Sequence, residues 1–293
     1  VVFKIAEGGI CLGMSLDWDK KDLPLQVYVN VTTKCNLKCI HCYSNSGCFG
    51  KNIDFDKLTD LINKINPLRL MISGGEPLLV YDKIEKFLTN LKKKPFCTLV
   101  TNGTIFNEDI LSFLKKNINE VVISLDTLDK KKFEMLRGKG GLETVLKNIS
   151  EFSKLKIKKR INYSIFSNNL NELNAIIKFM KSNKLQYLNI MRQRNVGRSN
   201  EKSSEEEILD FYKLAIKICK QNKIILSVHD PLINKLEIDE FKTDCYAGEK
   251  IVSIDSGFNF KSCPFAKDSF RGDFFNIWKS KDFEKSKLSC IYE

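Results

Sequence analysis

The run Thr33-Lys34-Cys35-Asn36-Leu37-Lys38-Cys39-Ile40-His41-Cys42-Tyr43 sets three thiols within eight residues, a C-x3-C-x2-C spacing. Thiolates this close on one loop can converge on a single soft metal centre. Their number is informative. A structural zinc ion or a purely electron-carrying cluster takes four protein ligands, whereas three cysteines on a four-iron cluster leave one iron open to a small molecule. A zinc site would have to recruit His41, yet His41 adjoins Cys42, and adjacent residues seldom reach one tetrahedral ion. Further along stands Ser73-Gly74-Gly75-Glu76-Pro77. Taken alone this is a strand-to-helix turn, but its glycines also let bare backbone approach a ligand, and Glu76 beside Pro77 can grip an ammonium group.

These residues need a scaffold, and the hydrophobic periodicity supplies one. Strands are predicted at Leu25 to Val31, Leu68 to Ser73, Phe96 to Thr101, Glu120 to Leu125, Arg160 to Phe166 and Gln186 to Met191. Between them lie helical spacings such as Phe55, Leu58, Leu61, Ile62, Ile65 and Leu173, Ile176, Ile177, Met180. Six strand-helix units in tandem imply a parallel sheet, since parallel strands need a long crossover and a helix is the usual one. Six units are too few for the eight of a closed barrel, so the expected fold class is α/β, a partial (β/α)6 TIM-like barrel. A helix from about Ser204 to Asn222 and a strand from Ile224 to Val228 close this series. After residues 230–244 the texture changes to a hairpin through Ile251 to Phe260, turning at Asp255-Ser256-Gly257, and a short helix near Trp278 to Lys285. The division expected is an N-terminal extension (1–24), the barrel (25–235) and a small C-terminal domain (236–293).

Composition narrows the setting. A chain of 293 residues that is 43% hydrophobic is neither a disulfide-stapled mini-protein nor disordered. There is no secretory signal and no apolar run long enough for a membrane helix, so a reducing cytoplasm is expected, where clustered cysteines mean metal or redox work rather than disulfides. The 48 Lys and Arg against 36 Asp and Glu give a formal charge of +12. The excess is mostly scattered lysine, without arginines interleaved with aromatics, so nucleic acid is not the expected partner. With two histidines and neither a Gly-x-Ser-x-Gly elbow nor a Gly-x4-Gly-Lys-Ser/Thr loop, serine hydrolase and P-loop chemistry are discounted.

The cysteine pattern after a first strand closely resembles that of the radical S-adenosylmethionine (radical SAM) superfamily, whose fold is a partial six-stranded barrel. The resemblance implies that Cys35, Cys39 and Cys42 hold a [4Fe-4S] cluster whose fourth iron chelates S-adenosylmethionine. It implies reductive cleavage of that cofactor to a 5'-deoxyadenosyl radical, fed by a low-potential electron donor, and hydrogen abstraction from substrate. Gly74, Gly75, Glu76 and Pro77 match the family's GGEP motif, which contacts the methionyl amino group. Ser124 and Asp126 stand where ribose hydroxyls would be bound, and Arg137 where the cofactor carboxylate would be. His41 and Tyr43 flank the third cysteine, where relatives carry an aromatic against the adenine, and Val196-Gly197-Arg198 resembles a segment beside it. No catalytic residue beyond these is assigned.

Cys245, Cys263 and Cys290, with the hairpin and Cys263-Pro264 between them, resemble the SPASM or twitch extension of radical SAM enzymes, which binds auxiliary iron-sulfur clusters. Fewer cysteines follow than in the fuller SPASM pattern, so one auxiliary cluster is expected. Cys11, Cys48, Cys97 and Cys219 are left as spare thiols, with Cys219 on an apolar helix face. The substrate implied is a ribosomally made peptide, modified by epimerisation or crosslinking. The 34 residues before Cys35 are too few for a separate winged-helix leader-recognition domain, which points to a compact peptide enzyme. The alternatives are a small-molecule dehydrogenase or cyclase and, from another class, a zinc-dependent nucleic-acid-binding protein.

Overall fold

The computed structural model describes residues 23–167, 169–200 and 203–286. The N-terminal extension up to residue 22, with Cys11, and the C-terminal Cys290 lie outside them. In chain order the elements are β1 (Gln26–Asn30), α1 (Phe55–Ile65), β2 (Arg69–Ser73), α2 (Tyr81–Thr89), β3 (Phe96–Thr101), α3 (Glu108–Asn117), β4 (Glu120–Ser124), α4 (Lys130–Arg137) and α5 (Leu142–Ser153). They continue with β5 (Lys158–Ile165), α6 (Leu173–Ser182), β6 (Tyr187–Arg192), α7 (Glu205–Asn222), β7 (Ile225–Val228), β8 (Ile251–Ile254), β9 (Phe260–Lys261), α8 (Phe274–Trp278) and α9 (Lys281–Lys285).

Among the described residues one sheet forms, in the order β7-β6-β5-β4-β3-β2-β1-β8-β9. Every pairing from β1 to β7 is parallel. The ends do not join, so the barrel stays open, a partial α/β barrel as the strand-helix count predicts. Alternation along each strand divides the side chains between two faces. Val27 and Val29, Leu70 and Ile72, Val121 and Ile123, Ile161 and Tyr163, and Leu188 and Ile190 pack into one core with the helices. The intervening residues, among them Tyr28, Arg69, Thr98, Glu120 and Arg160, therefore line the inner, concave face, which is polar.

Helix boundaries follow local chemistry. Asp54, Asn107, Asp129 and Ser204 each cap a helix by accepting a hydrogen bond from a first-turn backbone N–H, and Ser204 forms a full capping box with Glu207. Strand ends shift by one or two residues from their predicted positions, where pairing with a neighbour decides. The predicted hairpin turns where expected: Asp255 Oδ1 accepts from Gly257 N at 2.8 Å and from Asn259 N at 3.0 Å. The hairpin does not stand apart from the barrel, because β8 pairs in parallel with β1, Gln26 opposite Ile251 and Val29 opposite Ile254. The short helix expected near Trp278 to Lys285 is two helices, divided where Ser280 caps α9. No helix among the described residues is long and apolar enough to cross a membrane.

Trp278, fully buried, anchors the C-terminal segment by packing on Phe274 at 6.1 Å and Phe283 at 5.7 Å between ring centroids. Trp278→Ala should lower unfolding free energy by about 3–5 kcal/mol, the range for deleting a large buried aromatic. Equilibrium denaturation measures it, and a midpoint unchanged from the parent would contradict this packing.

Candidate active site

The three cysteines lie on the loop that leaves the C-terminal end of β1. Cys35 is buried, and Cys39 and Cys42 are half-buried. The sulfurs sit near enough to influence each other: burial pushes the Cys35 thiol up to about 11, and charge on Glu76, Cys39 or Cys42 would push it further. Burial likewise raises Cys39, against the pull of Arg137.

Two glycine contacts shape this loop. A Cβ on Gly75 would lie 2.1 Å from the Lys34 carbonyl oxygen and 3.0 Å from Cys35 Cβ, so only glycine lets the turn after β2 press against the backbone entering the triad. Gly75 N donates to Thr32 O at 2.7 Å and Glu76 N to Lys34 O at 2.8 Å, stitching the two loops together. From the other side Gly197, at φ +68°, has no room for a Cβ, which would stand 2.3 Å from Cys42 O. Arg198 completes that clamp, with N donating to Cys42 O at 3.0 Å and Nε to Cys39 O at 2.8 Å. The predicted segments at 74–77 and 196–198 are thus brought directly onto the cysteine loop.

Glu76 is fully buried, and burial pushes its carboxyl up to about 7. Its Oε1 accepts from Leu78 N at 3.1 Å and Thr101 Oγ1 at 2.8 Å, and its Oε2 from Asn102 N at 2.8 Å. The carboxylate therefore ties the ends of β2 and β3 together, and the edge that Gly74 to Pro77 offers a ligand is chiefly backbone. Asn102, which the sequence reading did not single out, continues the chain of contacts: its Nδ2 donates to Asn36 Oδ1 at 3.0 Å and to Cys35 Sγ at 3.8 Å. Its only signal was the turn chemistry of Thr101-Asn102-Gly103-Thr104 at a strand end. Gly50, also passed over, has no space for a Cβ against Thr33 and Lys34.

Asp126 and Arg137, expected as separate contacts to ribose and carboxylate, form a buried ion pair with each other. Asp126 Oδ1 also accepts from Ser164 N at 2.9 Å, so a ligand would have to compete with these partners. Ser124 is half-buried at the end of β4. His41 is held neutral by burial, which pushes it down to about 4, with its ring edge-on to Phe166 and Nε2 3.9 Å from Asp126. Tyr43 points back to the strand ends, donating to Asn30 Oδ1 at 2.8 Å, and its ring meets Phe265 at 5.3 Å. The C-terminal segment beside Cys263 thereby touches the triad loop. Gly248 N donates to Ser262 O at 3.2 Å, which joins the segments that carry Cys245 and Cys263.

The donor set suits an iron-sulfur cluster. Leu37 N aims at Cys35 Sγ and Ser46 N at Cys42 Sγ, each at 3.4 Å, the polarity a metal-bound thiolate needs. Around the loop the buried His41 Nδ1 and Arg198 Nη2 have no hydrogen-bond partner among the described residues, which leaves room for polar groups of a ligand. Among the described residues no three His, Cys, Asp or Glu side chains gather closely enough for a single ion. A cubane is ligated at separate iron corners and needs no such crowding.

Comparisons with known proteins agree with this geometry. A "Probable GTP 3',8-cyclase" of Methanococcus maripaludis is 29% identical over 165 residues, covering 52% of this chain and 54% of that protein. An "Fe-coproporphyrin III synthase" of Methanosarcina barkeri is 25% identical over 212 residues, covering 69% and 52%. The chain thus spans about half the length of these curated relatives. In fold it is similar to SuiB of Streptococcus suis bound to S-adenosylmethionine, with TM-score 0.73, 18% identity and coverage of 92% of this chain and 68% of that one. It is also similar to native anSMEcpe with bound AdoMet, with TM-score 0.70, 18% identity and coverage of 91% and 84%. Residues 29–180, more than half of the sequence, match the description "Radical SAM superfamily". A cysteine loop clamped between glycine turns on a partial barrel, and a family match across that barrel, place this chain in the radical SAM superfamily, enzymes whose cofactors are a [4Fe-4S] cluster and S-adenosylmethionine.

Proposed function

We propose that this enzyme cleaves S-adenosylmethionine reductively and abstracts hydrogen from a ribosomally made peptide, with Cys35, Cys39 and Cys42 holding the cluster. The observation that carries the reading is the backbone clamp on the cysteine loop, formed by Gly75 and Gly197 where no other residue fits. When bound, the cluster and S-adenosylmethionine together supply one-electron cleavage to a hydrogen-abstracting 5'-deoxyadenosyl radical. The protein's own part is to hold and shield. The backbone of Gly74 to Pro77 would face the methionyl amino group, Ser124 would serve the ribose, and His41 and Tyr43 would wall the adenine. Arg137 and Asp126 would meet the cofactor carboxylate and ribose only by giving up part of their pairing with each other, while Arg198 fixes the carbonyls of Cys39 and Cys42.

The segment 236–293 is read as an auxiliary-cluster domain, with Cys245, Cys263 and Cys290 as ligands of one further iron-sulfur cluster. Support comes from the junction between Gly248 and Ser262 and from the contact of Phe265 with Tyr43, which set this segment beside the triad loop. The peptide reading is supported by the fold's similarity to SuiB bound to precursor peptide SuiA, with TM-score 0.74. The names of the curated relatives favour a second reading, in which the substrate is a small molecule. A low-potential electron donor would deliver the electron in either case.

With dithionite as reductant, the enzyme should convert S-adenosylmethionine to 5'-deoxyadenosine, and Cys39→Ala should reduce that to background in the same chromatographic assay. Equal yields would refute the assignment of the triad. In anaerobically reconstituted protein, Gly75→Ala should lose most of the triad's iron while the circular dichroism of its fold persists; full iron loading would show that the clamp is dispensable. The double variant Cys245→Ala/Cys263→Ala should lose roughly half of the iron and sulfide yet still form 5'-deoxyadenosine. A deuterated peptide substrate should pass deuterium into 5'-deoxyadenosine, and transfer from a deuterated small molecule alone would replace the peptide reading with the second one.

A further inference from the structure

The inner face of the barrel carries a charge imbalance at the end remote from the cysteine loop. Glu120, at the start of β4, is buried on this face with its side chain 1% exposed. Three cations surround it. Arg69 on β2 reaches Oε2 at 2.5 Å, Arg160 on β5 reaches Oε1 at 2.9 Å, and Lys158 on β5 stands 3.7 Å from Oε1. Thr98 on β3 accepts from Arg69 Nε at 3.2 Å and donates to Glu120 Oε2 at 3.2 Å, locking the carboxylate. One carboxylate among three cations leaves two positive charges uncompensated.

Neighbouring groups register that imbalance. Burial alone would raise the Glu120 carboxyl, yet Arg160, Arg69 and Lys158 outweigh it and hold the group below its ordinary range. His229, which follows β7, is pushed down to about 4 by burial and then by Arg160 and Arg69, with Glu120 opposing. Burial raises Tyr28 on β1, and Arg69 and Arg160 pull against it. Since β2 lies three places from β5 and five from β7 in the strand order, the interactions of Arg69 with Glu120 and His229 cross the inner face of the curled sheet. His229 keeps an exposed surface although protein crowds it on the inner side, its Nε2 lies 2.9 Å from Ser227 Oγ, and the side chains of Arg69, Lys158 and Arg160 stay 25%, 20% and 14% exposed, within reach of a ligand.

We propose that Arg69, Lys158 and Arg160 form an oxyanion subsite inside the barrel, which takes a carboxylate or phosphate group of the substrate. Uncompensated charge under partial burial is costly, and an oxyanion meeting two guanidinium groups relieves it with charge-assisted hydrogen bonds. Each guanidinium has an Nη1 with no protein partner among the described residues, so the donors are available. From Arg69 to Ser73 the strand rises about 13 Å, so a substrate anchored here by its anion extends toward the cysteine loop and presents its reacting hydrogen there. This deepens the proposed function: a carboxylate fits an acidic residue or the C-terminus of a peptide, and a phosphate fits a phosphorylated small molecule.

The chain's two histidines, His41 and His229, make the test direct. Holoenzyme with 15N-labelled imidazoles is titrated at constant ionic strength with inorganic phosphate, with glutarate, and with neutral glutaramide, and the His229 signal is assigned by its loss in His229→Gln. A saturable shift of His229, with His41 unmoved and glutaramide silent, is the expected result, and the anion that saturates at lower concentration identifies the substrate's group. Arg160→Gln should raise the apparent Kd at least tenfold. Lys158→Met, which leaves both arginine contacts to Glu120 in place, should raise it by about threefold, a test that stands if Arg160→Gln does not fold. Absence of saturation with either anion, or unchanged Kd in Lys158→Met and in a folded Arg160→Gln, would overturn the subsite. The titration uses neither S-adenosylmethionine nor turnover, so its failure and that of the radical reading are separate events.

Discussion

The structure depends on a close approach of backbone to backbone around the cysteine loop. At Gly75 a single added carbon would stand 2.1 Å from the Lys34 carbonyl oxygen, and at Gly197 it would stand 2.3 Å from that of Cys42. Such approaches let main-chain hydrogen bonds, rather than adjustable side chains, set the path of the triad. Three thiols on a free loop would sample many spacings, and each would have to be ordered at an entropic cost when metal binds. Here that ordering is built into folding, because the ends of β2 and β6 carry the two jaws of the clamp.

Buried polar groups extend the same order outward. Glu76 ties the strand ends of β2 and β3, and Asn102 passes that order to Asn36 and Cys35. The division of the sheet into two faces makes room for this. Apolar side chains packed beneath the helices hold the barrel together, so the inner face is free to carry tyrosines, arginines, a buried glutamate and a histidine. Stability and chemistry occupy opposite faces of the same strands, and alternation along each strand keeps them apart.

Much of this was legible in the sequence. Periodicity located the strands within a residue or two, because apolar positions recur on one face of each strand between stretches of helical spacing. The triad was legible because its ligands are adjacent along the chain, and the motif at 73–77 because two consecutive glycines before Glu-Pro require a special turn. What escaped depends on partners remote in sequence. The union of Asp126 with Arg137 pairs a strand end with a helix end, the contact of Asn102 with Cys35 spans 67 positions, and the docking of β8 on β1 is a register choice that no local pattern encodes. The inner-face cations around Glu120 were invisible for the same reason, since they come from β2 and β5 while Glu120 comes from β4.

The central claim is that the clamped triad presents an open iron that S-adenosylmethionine occupies. Pulsed electron-nuclear double resonance on the reduced enzyme, with S-adenosylmethionine carrying 15N in its amino group, tests this most directly. The account predicts a hyperfine coupling between that nitrogen and the cluster, present in the parent protein and absent from Cys39→Ala. Identical spectra with 14N and 15N cofactor, in protein that contains the reduced cluster, would contradict it.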